Sequence, residues 1–128
     1  MKILALIVAV ITVVSFASFA ADKPAKAKRL LHVVSFKFKP DAKKEQIDEV
    51  VAGFRDLKKK IPFIQEFSWG TNMSPEKLDK GFTHGFLLSF KTEKDRDAYL
   101  VHPAHKAFAN SLGPVLADAF VIDYWAQD

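Results

Sequence analysis

Tyr99, His102 and His105 fall within one seven-residue stretch, Tyr99-Leu100-Val101-His102-Pro103-Ala104-His105, built around a helix-breaking proline. Half of the chain's four histidines and one of its two tyrosines stand there. An imidazole with a pKa near ~6.5 takes a proton at neutral pH and returns it, which is what enolate formation beside a carbonyl requires. Tyr99 could orient that imidazole or hold a substrate carbonyl. The other two histidines, His32 and His84, each lie in a run that alternates apolar and polar residues, and each falls on the more aromatic side. Two readings stay open on these residues alone. Either all four imidazoles are structural, with His102 capping the helix that begins at Pro103 and His105 bonding a backbone carbonyl, or His32, His84 and His102 line a pocket toward which Tyr99 and His105 point. Metal binding is the rival use of His102 and His105, with His84 or Asp97 as a third ligand. Pro103 disturbs the regular helix that such a pair needs, so no metal is expected.

The surrounding pattern supplies the elements that must position these groups. From Leu30 to Lys39 the chain alternates strictly, with His32, Val34, Phe36 and Phe38 on one side, which predicts a strand closed by Pro40. Asp41 is a good N-cap, and Ile47, Val50, Val51, Phe54, Leu57 and Ile61 recur at helical spacing, so a helix is expected over about residues 42–60. Strands follow over 63–69 and 82–90, joined by a long connection containing Pro75 and Gly81. Thr92 with Asp95 resembles a capping box. It opens a helix that must bend near His102, because the residue before a proline is pushed out of helical geometry. A fourth strand is read over 119–125, with Phe120, Ile122 and Tyr124 opposed to Val121, Asp123 and Trp125.

The order βαββαβ predicts a ferredoxin-like α+β fold, a four-stranded antiparallel sheet with its helices on one side. The bulky strand face should meet the helices. The opposite face, read as Leu31, Val33, Leu87, Val121 and Trp125, is too apolar to leave in water, and a symmetric homodimer with sheets face to face would cover it. The 12 phenylalanines are read mostly as core, with room for a small pocket between sheet and helices. With no glycine-rich phosphate loop, such a pocket favours an apolar or aromatic molecule over a sugar or phosphorylated compound.

Lys2, the apolar run up to Phe19 and the small residues Ser18 and Ala20 have the order of a secretory signal. Residues 1–21 are therefore expected to be removed, with 22–29 a flexible lead-in and 30–128 a single domain; an uncleaved anchor is the alternative. The protein is then expected to be periplasmic or secreted, with no stable membrane association after cleavage. The exported chain would carry 18 basic and 15 acidic residues, a net +3. Its densest basic run, Lys58 to Lys60, ends a helix, where cations complement the dipole. Nucleic acid is not an expected partner. With no cysteine, burial alone must hold the domain together, and a partner subunit would help.

The strand segment Leu31-His32-Val33-Val34, the segment Gly81-Phe82-Thr83-His84, and Tyr99 to His105 with Lys106-Ala107-Phe108 together resemble the stress-responsive dimeric α/β-barrel (Dabb) family over about residues 30–125. Within it they are similar to the cofactor-free polyketide cyclases. What the resemblance implies is a dimeric barrel and, at the matching positions, His105 as base, Tyr99 holding that base or a substrate oxygen, and His32 and His84 lining the pocket, with no cofactor. Such substrates have no obvious source outside the cell, so residue identity carries over and substrate does not. A non-catalytic stress-associated binding or assembly module is the alternative.

Overall fold

The computed structural model describes residues 28–127, together with Ser15 and Ala17. Nearly all of the expected signal, its cleavage site and most of the lead-in lie outside the described residues. In order along the chain come β1 (Leu30–Phe38), α1 (Lys44–Lys60), β2 (Glu66–Thr71), β3 (His84–Phe90), α2 (Glu93–Val101), α3 (Pro103–Ser111) and β4 (Leu116–Trp125). The strands form one antiparallel sheet in the order β2-β3-β1-β4. This is the ferredoxin-like fold. No helix among the described residues is long and apolar enough to cross a membrane.

The core forms where the aromatic strand face meets α1 and α3. Phe54, from the middle of α1, lies stacked on Phe36 (5.8 Å between ring centres) and on Phe108 (4.8 Å), and tilted against Phe86 (4.5 Å). Phe67 meets Phe54 edge-on at 5.4 Å. These rings fill the space beneath the helices that the phenylalanine count had suggested might stay open, because successive aromatic positions on β1, β3 and α1 interlock at contact distances.

Local chemistry sets the element ends. α1 starts later than Asp41 suggests: Lys43 takes the cap position, and its backbone N–H donates to Gln46 Oε1 at 2.9 Å. Thr92 caps α2 as expected, its hydroxyl accepting from the Asp95 N–H at 3.0 Å. β2 begins three residues later than the alternation predicts, because Pro62 and Phe63 are spent turning the chain while Ile64 drops into the core. Gly81 closes the β2–β3 connection with a φ of +87°, and a Cβ there would come within 2.8 Å of the Lys37 side chain.

The largest departure concerns the two faces of β4. The register pairs Val34 with Val121, His32 with Asp123 and Leu30 with Trp125, and directly paired residues point to the same side of a sheet. Val121 and Trp125 therefore belong to the helix side, and the open face carries Phe120, Ile122 and Tyr124 beside Leu31, Val33 and Leu87. Both halves of this strand are apolar, so alternation alone could not choose between them. The exchange places the Asp123 carboxylate next to His32.

Candidate functional site

Three of the residues singled out by type and spacing come together. Tyr99, buried on α2, packs edge-on against His32 of β1 at 5.5 Å between ring centres and tilted against His105 of α3 at 4.4 Å. In an unbroken helix, His105 would sit about 120° around the axis from Tyr99, since six residues at 3.6 per turn do not return to the same face. The bend removes that offset. His102 ends α2 with extended backbone (φ −63°, ψ 136°), and its Nδ1 accepts the Ala104 N–H at 3.0 Å, capping α3. Pro103 occupies the first turn, where its missing N–H costs nothing.

His105 is held by a hydrogen bond in which its Nδ1–H donates to the Leu100 carbonyl at 3.0 Å. Since a carbonyl only accepts, the proton is fixed on Nδ1 and the Nε2 lone pair is left free. Burial pushes the ring below the ordinary imidazole pKa, opposed by that backbone bond and aided slightly by His32 and His102. The ring is thus neutral at pH 7, a base with an available lone pair. Tyr99 is pushed well above its ordinary 10 by burial and by Asp123, so it remains a phenol that can donate. The cluster's own hydrogen bonds, His32 to Asp123, Arg96 to Asp123 and His105 to Leu100, do not engage its hydroxyl among the described residues.

Behind this pair stands a carboxylate that sequence reasoning missed. His32 Nδ1–H donates to Asp123 Oδ1 at 2.6 Å, and Arg96 Nη1 donates to the other oxygen at 2.6 Å. Burial opposes ionisation of Asp123, but the hydrogen bonds from Arg96 and His32 outweigh it and hold the carboxyl below its ordinary value. Arg96 lay hidden in Glu93-Lys94-Asp95-Arg96-Asp97, which reads as a solvated helix face. Asp123 could have been found only from the β4 register.

His84 is not part of this cluster. His32 pairs with Leu88, four positions along β3 from His84, a separation of roughly 13 Å at about 3.3 Å per residue. His84 sits between Phe38 (5.1 Å) and Trp69 (6.3 Å, nearly parallel), shares a hydrogen bond with Thr83 Oγ1 at 2.9 Å, and is lowered by burial against an opposing pull from Asp48. His102 turns its ring toward Phe63. Among the described residues no three of His, Cys, Asp or Glu are grouped to hold a metal ion. An open cleft of about 590 Å³ lies away from the Tyr99 cluster, beneath the β2–β3 connection, with Gly70, Gly85 and Ser35 as its floor and His84, Phe82 and Phe120 among its lining residues.

A four-stranded antiparallel sheet with bent helices on one face, a histidine–tyrosine–histidine cluster under the bend and an apolar face left open define a small α/β-barrel domain. The chain belongs to the stress responsive A/B barrel domain family, whose pattern it matches over residues 30–126. It is 36% identical over 93 residues to the stress-response A/B barrel domain-containing protein HS1 of Arabidopsis thaliana, a match covering 73% of this chain and 85% of that one. To olivetolic acid cyclase of Cannabis sativa it is 25% identical over 93 residues, covering 73% and 92%. Among solved structures it is similar to hydroxynitrile lyase from Passiflora edulis, with a TM-score of 0.75, 26% identity and coverage of 80% and 96%. A dimeric ferredoxin-like protein of unknown function from Jannaschia sp. CCS1 gives a TM-score of 0.66, 27% identity and coverage of 75% and 97%. That protein and a protein of ferredoxin-like fold from Bacteroides fragilis, both called dimeric, support a homodimer for this chain.

Proposed function

We propose that this chain binds a small, largely apolar carbonyl compound and moves a proton on it without a cofactor, His105 acting as base and Tyr99 as the phenol that steadies the substrate oxygen. The observation that carries the reading is the His105 ring: neutral, tethered through Nδ1 to the Leu100 carbonyl, and packed on a phenol, with no further hydrogen bond to its Nε2 or to that hydroxyl among the described residues. A base and a hydrogen-bond donor side by side suit reactions in which a carbonyl oxygen gains or loses negative charge. Family relatives called a cyclase and a hydroxynitrile lyase lend support, since a cyanohydrin that loses its hydroxyl proton to a base collapses to a carbonyl compound and cyanide. The test is release of benzaldehyde from mandelonitrile and α-proton exchange of acetophenone in deuterated water, each with wild type and H105A. Wild-type turnover lost in H105A is the expected result. Rates above buffer that persist unchanged in H105A overturn the assignment.

The homodimer is proposed to form through the open face around Val33, Leu87 and Ile122, after export and removal of residues 1–21; the mass of the protein recovered from its native compartment tests the cleavage. A second reading, a non-catalytic ligand-binding module, is favoured by one specific observation. Phenyl rings fill the space between sheet and helices, and the 590 Å³ cleft lies away from the Tyr99 cluster. Absence of turnover, with an aromatic ligand that raises Tm equally in wild type and H105A, selects it.

A further inference from the structure

Arg96 takes no part in the proton transfer just described, yet it is wired to it. Its Nη1 donates to Asp123 Oδ2 at 2.6 Å and its Nε to Asp97 Oδ1 at 2.8 Å. Asp123 spends its other oxygen on His32. One carboxylate thus joins β1, β4 and α2, and the join is largely shielded, with side-chain exposures of 6% for His32, 20% for Asp123 and 21% for Arg96. Asp97 is 66% exposed, so its half of the arginine fork adds little. Tyr99 follows Arg96 by one turn on the same face of α2. The arginine that grips β4 and the tyrosine that meets both histidines are therefore set by a single helix rotation.

We infer that Arg96 is a positioning residue: by holding Asp123 it fixes the proton of His32 on Nδ1 and sets the rotation of α2 that seats Tyr99 between His32 and His105. The inference deepens the proposed function, since it concerns the same cluster, but it stands on the hydrogen-bond geometry alone. A carboxylate held at one oxygen by a guanidinium cannot turn away from the imidazole at the other. Without that grip the side chain is free to rotate toward solvent, His32 loses its fixed acceptor, and either ring nitrogen can carry the proton. Such outer partners set the tautomer and orientation of working imidazoles generally.

The test reads tautomers directly in the full chain by long-range ¹H–¹⁵N correlation of the imidazoles at pH 8, above the usual imidazole range, and needs no substrate. In wild type His32 and His105 are expected as Nδ1–H tautomers, and His102, whose Nδ1 accepts, as Nε2–H. R96M should convert at least a third of His32 to the Nε2–H form while leaving His102 unchanged, and D97A should leave His32 as in wild type. If R96M does not fold, R96Q is read with the same expectation. His32 remaining wholly Nδ1–H in a folded R96M or R96Q, with only Tm lowered, overturns the inference, as does failure of both to fold, which would make Arg96 a residue of the fold. Because turnover is not read, failure of the proposed chemistry cannot be mistaken for failure of this proposal.

Discussion

His105 reaches back across the Pro103 bend to the carbonyl of Leu100, five residues earlier, at 3.0 Å. That single bond satisfies a carbonyl freed where α2 ends and chooses which ring nitrogen stays available. With the ring held below the ordinary imidazole value of 6.5, proton transfer should gain its acid limb below pH 6.5 and run flat above it. H105A should lower the rate by about 10²- to 10⁴-fold, the usual worth of a positioned base. The pH profile of mandelonitrile cleavage checks both; an acid limb above pH 7 counts against His105.

Asp123 makes acid stability depend on one carboxylate. Its folded pKa lies below the ordinary 3.8, so it contributes stability that is present above that value and is lost as pH falls through the lower, folded one. D123N should cost about 2 kcal/mol at pH 7, the scale of hydrogen bonds to a charged group. Thermal melts from pH 7 to 2 should show the wild-type advantage shrinking below about pH 4. A gap of constant size would mean that the carboxylate's charge is not what matters.

Phe54 touches Phe36, Phe67, Phe86 and Phe108 and is 2% exposed. F54A should cost about 3–5 kcal/mol, because truncation leaves a cavity that ring neighbours on four elements cannot all close. Urea unfolding measures it. A loss under about 1 kcal/mol would show the cluster to be loosely packed.

Gly53, inside α1, offers the opposite case. A Cβ there would meet Phe108 at 3.5 and 3.7 Å, ordinary contact, and alanine is favoured over glycine in a helix interior by about 1 kcal/mol. G53A should therefore raise Tm by a few degrees, read by circular dichroism. A drop would reveal that α1 and α3 need to close further than they do here.

On the helix-free face, Ile122 is 45% exposed beside Val33 and Leu87. A charge there would be desolvated on pairing, so I122D should shift sedimentation from dimer to monomer while the isolated fold keeps its circular dichroism. An unchanged dimer would move the interface elsewhere.

Much of this could be read in order along the chain. Alternation in β1, helical spacing in α1, the Thr92 cap and the Pro103 bend are local, each decided by neighbours within a turn or two, and the structure follows them closely. Strand ends shifted where a turn competed for the same residues, as Pro62 and Phe63 did ahead of β2. In the site, the bend between Tyr99 and His105 was legible while their contact was one of two open readings, and His84 shared only the character of its strand face with His32 and not its position along the sheet.

Sequence alone determined which groups could handle protons and that a bend would fall between two of them, because residue type and proline geometry are properties of short segments. Only the tertiary structure decided that β4 turns Asp123 inward, that Arg96 clasps it, and that Phe54 and its neighbours fill the space beneath the helices. The reason is that a strand apolar on both faces carries no local preference for either. Its register is settled by the whole sheet, and with it the partners of every charge the strand brings.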